Sequence, residues 1–240
     1  MEHWNYKPAR DQGLSGPERL RSTRREPGTL SLGLHACFWA AMRGYLRAYH
    51  GLRIEGVERL PKKPPFVIIA NHTSHLDAMV LGAALPAGVR RMVYPIAAGD
   101  VFFEQAAVTL FAAGFLNALP MWRKSSAIRH ALGDLRERLV DEPCGFILFP
   151  EGRRVREGAV EEFKAGLGMI VAGQAAPVVP CYLEGAFEAM PPGRKVPRPG
   201  RIVLRVGEAL TFAELPNERA SWDVIAVTCR EAVMGLGRGG

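Results

Sequence analysis

The stretch FVIIANHTSHLDAM, residues 66–79, passes from an uninterrupted apolar run into a cluster of polar groups and back to an apolar pattern. FVIIA, residues 66–70, is β-branched and aromatic and reads as a buried strand. That strand must end near Asn71, because NHTSH cannot sit inside a sheet without hydrogen-bond partners. A helical pattern follows at 76–85, with Thr73 or Ser74 as the expected N-cap. A buried strand that breaks into a polar turn and resumes as a helix is a unit of an alternating α/β domain.

The rest of the chain repeats this alternation. RMVYPIA (91–97), GFILF (145–149), APVVPCYL (176–183) and RIVLRV (201–206) read as strands, with helical patterns at 125–140, 161–174 and 221–235. Residues 105–122 carry no charge, yet Gly114, Asn117 and Pro120 argue against one continuous helix. The stretch divides into a helix near 102–113 and a buried strand near 115–121. The expected fold is a single α/β domain over 51–240, with a central, largely parallel mixed sheet flanked by helices. A chain of 240 residues at 48% hydrophobic composition can bury such a core.

Ahead of that domain, residues 1–28 are polar, include the basic run RLRSTRREPG and read as an arm with little core of its own. Residues 29–50 form an amphipathic pattern, too short in its apolar part and interrupted by His35, so a span of the usual ~20 apolar residues is not supported. Phe38, Trp39 and Leu46 suit the acyl boundary of a membrane, with Arg43 and Arg47 meeting phosphates; the same face also suits packing on the domain core. The N-terminus lacks a secretory apolar region, so the expected location is the cytoplasmic side of a membrane, peripheral or monotopic.

The 31 Lys+Arg against 24 Asp+Glu give a net charge of +7, which favours anionic partners without choosing among phosphates, phospholipid head groups and nucleic acid. Cys37, Cys144, Cys181 and Cys229 are far apart and suggest neither a zinc knuckle nor a disulfide scaffold.

His72 and Asp77 are the first candidates for chemistry. Five positions along a helix would set them about 140° apart around the axis, out of reach; a turn at residue 72 brings them together. A carboxylate that fixes the imidazole tautomer through one nitrogen leaves the other to take a proton, the requirement of a general base. A metal reading would need His72, His75 and Asp77 together, and no His-rich or Cys-rich cluster supplies a fourth ligand, so no metal is expected. FILFPEGRR then delivers Glu151, Gly152, Arg153 and Arg154 to the carboxyl edge of the sheet, where α/β folds hold ligands and where arginines offer forked donors to a phosphate. FLNALPMWRKSS brings Arg123 and Lys124 to another strand end.

Together these elements resemble the glycerolipid acyltransferases typified by 1-acylglycerol-3-phosphate acyltransferase. NHTSHLD is similar to the family's NHxxxxD block, Trp122 and Arg123 stand where the second block's arginine is expected, and FPEGRR resembles FPEGTR. Residues 176–183 resemble the proline-bearing fourth block, and FKAG at 163–166 resembles FKxG. The resemblance spans roughly residues 50–212. It implies transfer of a fatty acyl group from acyl-CoA or acyl carrier protein to a lysophospholipid hydroxyl, with no acyl-enzyme and no cofactor beyond the co-substrate. His72 would be the general base and Asp77 its orienting carboxylate. Arg123, Glu151, Gly152, Arg153 and Arg154 would form the acceptor and phosphate site, supported by Asn71, Ser74, Lys164 and Pro180. The implied partners are a phospholipid surface, the acyl donor and the acceptor, not nucleic acid. Arg153 departs from the family's usual threonine and bears on which acceptor is taken.

Other classes fit less well. No G-x-S-x-G elbow supports a hydrolase, and the glycines of AGLGMIVAG (165–173) lie in a helical pattern, where close helix packing explains them better than a dinucleotide. A non-catalytic anionic-lipid binder gives no reason for His72 and Asp77 to accompany FPEGRR.

Overall fold

FVIIA forms the centre of a seven-stranded sheet. A computed structural model describes residues 9–26, 29–122, 125–155, 160–194 and 196–238. In chain order the elements are α1 (Gly16–Leu20), α2 (Thr29–His50), β1 (Arg53–Glu55), β2 (Phe66–Ala70), α3 (Asp77–Ala84), α4 (Ala87–Arg90), β3 (Val93–Ala98), α5 (Gly99–Phe102) and α6 (Ala106–Leu110). They continue with β4 (Leu119–Met121), α7 (Ser125–Asp141), β5 (Gly145–Leu148), α8 (Gly166–Val171), β6 (Val178–Glu184), α9 (Ala186–Ala189), β7 (Val203–Val206) and α10 (Arg219–Arg238).

The strand order is β1-β7-β6-β2-β5-β3-β4, and only the β6–β7 pair is antiparallel. The predicted α/β architecture is therefore the observed one. β2 lies between β5 and β6, with Ile68 opposite Ile147 and Ile69 opposite Pro180. Its five residues are all buried, and its alternation divides the core. Phe66, Ile68 and Ala70 pack with Trp39, Leu46, Leu81 and Leu85 on one face, while Val67 and Ile69 pack with Phe146, Leu148, Leu135, Leu139 and Ile225 on the other. Each such aliphatic side chain contributes about 1.5–3 kcal/mol by burial. Both faces are covered, which is why β2 reads as a continuous rather than an alternating apolar run.

α2 packs on the first face. Trp39 lies so close over Gly82 that a Cβ there would meet its ring, and its indole N–H donates to His35 Nε2 at 2.9 Å. Arg43 donates to the carbonyls of Ala83 and Leu85, capping the end of α3. Trp39 and Leu46 are buried in protein and are not free to enter an acyl boundary, because α3 and the sheet offer them a closer apolar surface. Phe38 is half-buried against Phe111 and Phe115. Among the described residues, no helix is long and apolar enough to cross a membrane.

Residues 9–26 lie against α7 and the β3–β4 edge. Arg138, buried, donates to the carbonyls of Thr23 and Arg25 and to Glu142, with its guanidinium 4.2 Å from the Tyr94 ring. Arg25 donates to Asn117 Oδ1 at 3.0 Å.

Three local expectations differ. The uncharged stretch divides into α6, a π-helical turn at Phe111–Phe115 and the short β4, because Leu116 N–H bonds back to the Phe111 carbonyl and Asn117 takes a left-handed φ of 58°. Residues 161–164 are irregular rather than helical: Lys164 N–H bonds to the Pro150 carbonyl, and α8 starts only at Gly166. β1, a half-exposed RIE, pairs with β7 and carries too short a pattern to be read in advance.

Candidate active site

The parallel strands β2, β5, β3 and β4 end at one edge, and the turns that leave them build the site. At the end of β2, Asn71 is a brace: its Nδ2 donates to the Leu183 carbonyl at 2.9 Å and its Oδ1 accepts the Leu183 N–H at 2.8 Å. This ties the last residues of β2 to β6 and sets where the NHTSHLD turn begins.

The turn folds around one carboxylate. Asp77, fully buried, accepts through Oδ2 the His72 Nδ1–H at 2.9 Å and the main-chain N–H groups of Thr73 and Ser74, each at 2.7 Å. Neither Thr73 nor Ser74 is the N-cap; the cap position is Leu76, and Ser74 Oγ instead accepts the Leu76 N–H and donates to the Met190 carbonyl. The helix begins later than expected, at Asp77, and Ser74 keeps a cap's contacts ahead of it, since Asp77 three residues on accepts its N–H. The His72 ring stacks on Phe149 at 4.1 Å between centroids, nearly parallel at 19°. With Nδ1 assigned as the donor to Asp77, Nε2 is the acceptor.

His72 borders a cavity of about 1200 Å³. Its polar lining comes from His72, His75, Arg153, Arg154, Lys164 and the carboxylate Glu161, with Gly152 between them, and its apolar lining from β3, the π-helical turn, α7 and α8 through Ala97, Phe111, Leu116, Leu132 and Ile170. Beside it lies a polar groove of about 1050 Å³ with both signs of charge at its border, Arg153, Lys164 and Arg230 facing Glu151, Glu161 and Asp223 among others.

The FPEGRR turn locks onto the first. Glu151 is only 1% exposed and turns inward, where its Oε1 accepts the His72 main-chain N–H at 3.0 Å; Val155 N–H in turn donates to the His72 carbonyl at 2.8 Å. Burial pushes the Glu151 carboxyl up to about 8, against the lowering effect of that hydrogen bond. Gly152 has a φ of +74°, and a Cβ there would lie 3.0 Å from Lys164 Nζ, so glycine permits both the turn and the close approach.

The two arginines that follow are used differently. Arg153, with its side chain 69% exposed, donates twice to Glu161, at 3.0 and 2.8 Å. Arg154 donates from Nη1 to His75 Nε2 at 2.5 Å. Burial first, then the neighbouring Arg154 and His72, hold His75 down to about 4, so its ring is neutral and accepts. His75 also meets the Phe102 ring edge-on at 5.8 Å.

Of the remaining candidates, Lys164 is exposed and borders both cavity and groove. Pro180 borders neither; it is buried in β6, where its carbonyl accepts the Gly207 N–H. Arg123 lies outside the described residues. Among the described residues, no group of three His, Cys, Asp or Glu side chains could hold a metal ion. Sequence reasoning missed the Arg154–His75 and Arg153–Glu161 pairs and the stacking of Phe149 on His72. Only the last had a signal, since Phe149 closes the strand that precedes FPEGRR. A hydrogen-bond acceptor on an imidazole, backed by a buried carboxylate and opening on an apolar cavity with cations at its border, can take a proton from a hydroxyl on an amphiphile with an anionic head.

The acyltransferase family model matches residues 51–184. The human 1-acyl-sn-glycerol-3-phosphate acyltransferase beta is 29% identical over 177 residues, covering 70% of this chain and 61% of that protein. A chloroplastic 1-acyl-sn-glycerol-3-phosphate acyltransferase of Arabidopsis thaliana is 26% identical over 200 residues, 82% of this chain and 51% of its own length. The match thus spans between half and two thirds of these relatives. The crystal structure of the 1-acyl-sn-glycerophosphate acyltransferase PlsC from Thermotoga maritima superposes with a TM-score of 0.64 at 25% identity, covering 86% of this chain and 79% of that one.

Proposed function

Because the chain belongs to the acyltransferase family, we propose that it is an O-acyltransferase that moves a fatty acyl group from a thioester, acyl-CoA or acyl carrier protein, to the hydroxyl of 1-acylglycerol-3-phosphate or another lysophospholipid. The observation that carries this reading is the His72–Asp77 pair at the border of a largely apolar cavity. His72 Nε2 takes the acceptor hydroxyl proton as the oxygen attacks the thioester carbonyl carbon. The C–S bond then breaks, and the thiolate leaves with the proton that His72 returns. Asp77 keeps Nδ1 protonated and stabilises the imidazolium formed between the two steps. Arg154 and Lys164 meet the acceptor phosphate, while the apolar lining from β3 to α8 takes acyl chain. Arg153 is engaged by Glu161, and its contact with a head group requires that this exposed pair open, at a cost of about 0–1 kcal/mol.

The reading includes peripheral attachment to a phospholipid surface. Leu34, one helical turn before Phe38 on α2, is 60% exposed, and Leu110, next to Phe111 at the end of α6, is 55% exposed; Phe38 and Phe111 are in contact. Phe111 itself lines the cavity, so an apolar surface continues from the outside of the protein to the site.

The test is release of free thiol from palmitoyl-CoA, and from a palmitoyl carrier protein, with a panel of lysophospholipids and glycerol 3-phosphate. Acceptor-dependent release is expected, and His72→Ala lowers turnover by about two to four orders of magnitude, the usual contribution of a general base. Near-parental turnover in that variant would defeat the mechanism. Silence of the parent with both donors, alongside retained binding to lipid vesicles, would favour a non-catalytic lipid binder.

A further inference from the structure

We infer that His75 is a positioning residue for recognition of the acceptor phosphate: its Nε2 holds the Arg154 guanidinium at the cavity border and thereby sets a preference for acceptors that carry a phosphomonoester. The inference rests on the acyltransferase reading above and adds a residue outside the motif positions that carry the family resemblance.

Two adjacent arginines enter the same turn, and the protein disposes of them in opposite ways. Both Arg153 donors shown are taken by a carboxylate, Glu161, which also offsets the charge. Arg154 is held by an imidazole nitrogen, an acceptor that satisfies one N–H and leaves the positive charge unspent. A long side chain that must be ordered when ligand arrives weakens binding by the freedom it loses; one already anchored does not. His75 anchors Arg154 without neutralising it, and among the described residues it is the one side-chain hydrogen-bond partner of Arg154, which leaves further guanidinium N–H groups for phosphate oxygens. The imidazole itself is fixed by its position in the turn, one residue before Leu76 at the N-cap, and by the edge of Phe102. The charged and titratable groups around it are Arg154, His72 and Asp77, of which the two former favour the neutral ring. His75 and Arg154 both line the cavity that His72 borders, so the phosphate they hold lies in the same space as the hydroxyl to be acylated.

The experiment compares His75→Phe, His75→Gln, Arg154→Ala and the double variant His75→Phe with Arg154→Ala. Two acceptors are used, 1-acylglycerol-3-phosphate and 1-acylglycerol, which lacks the phosphate. His75→Phe keeps a ring against Phe102 and removes the acceptor; His75→Gln restores an acceptor oxygen near the Nε2 position. Loss of a charge-assisted contact predicts a rise of about tenfold in KM for the phosphorylated acceptor in His75→Phe, falling on KM rather than on kcat and absent with 1-acylglycerol. In His75→Gln the KM returns to within about threefold of the parent, and the double variant is no worse than Arg154→Ala alone. Equal KM rises for both acceptors, or additive effects of the two substitutions, would overturn the inference. If the parent acylates no acceptor, the acyltransferase reading fails separately. Calorimetric binding of a short-chain lysophosphatidate across the same four variants then decides the inference, with non-additive losses supporting it and additive or absent losses refuting it.

Discussion

A carboxyl group held at Glu151, buried with one oxygen on the His72 main chain, keeps its proton when an ordinary glutamate has lost it. Its folded value is about 8, against about 4.3 in an unfolded chain. Between those values the unfolded chain releases a proton that the folded chain keeps. Stability therefore falls as pH rises through that window, by at most about 1.4 kcal/mol per pH unit. Glu151→Gln, neutral throughout and still offering an oxygen to the His72 N–H, removes that slope. Glu151→Ala leaves the amide unpaired and lowers both stability and turnover. Denaturant unfolding of parent and Glu151→Gln at pH 5, 6, 7 and 8 checks this; parallel pH dependences would refute it. The sequence offered Glu151 as one residue of an acidic-basic turn and, through the family resemblance, of an acceptor and phosphate site. Which way its side chain points depends on the left-handed backbone at Gly152 and on the approach of the His72 turn from another strand. The His72–Asp77 pair was more legible, since both ends lie within one strand-turn-helix unit and local geometry suffices to bring them together.

The same contrast holds for whole elements. α8 and α10 pack so closely that a Cβ on Gly168 would lie 2.3 Å from the Trp222 Cα, a backbone atom that cannot step aside. The packing explanation for the glycines of AGLGMIVAG is thus the one the structure bears out. Gly168→Ala is expected to destabilise by about 1–3 kcal/mol as α10 shifts from α8, read as a lowered denaturant midpoint with little change in slope. A midpoint equal to or above the parent's would show that the helices separate freely. Strands with both faces covered were legible from their apolar runs, as in FVIIA and GFIL. The segment at 161–164 was not, because its helical spacing is overridden by contacts from elsewhere in the chain: Lys164 N–H bonds to the Pro150 carbonyl and Arg230 donates to the carbonyls of Val160 and Glu161, which no local pattern encodes.

At the scale of the molecule, the cavity exists only where β3, β4, the π-helical turn, α7 and α8 stand apart around the end of β5; Leu110, next to the cavity-lining Phe111, and Leu34, one turn before its partner Phe38, are exposed. Neither leucine lines the cavity. The double substitution Leu34→Asp and Leu110→Asp is expected to weaken binding to phosphatidylglycerol-containing vesicles by about tenfold or more, given about 1.5–3 kcal/mol for each side chain transferred from water. The thermal midpoint should be unchanged, since both side chains already face solvent. Co-sedimentation with vesicles measures the first quantity; undiminished binding would move the lipid contact to another face.

The sequence by itself determined the alternation of strands and helices, the largely parallel sheet, the edge at which the polar turns gather and the pairing of His72 with Asp77, because each follows from periodicity or from contacts within a few residues. Only the tertiary structure decided that Trp39 and Leu46 face the core, that Glu151 turns inward, that Arg153 pairs with Glu161 while Arg154 pairs with His75, and that a cavity opens beside them. Those outcomes are set by which turn meets which across the sheet edge. The positions that meet, such as 75 and 154, are 79 residues apart in the chain, and nothing in the order of residues between them records the distance that folding removes.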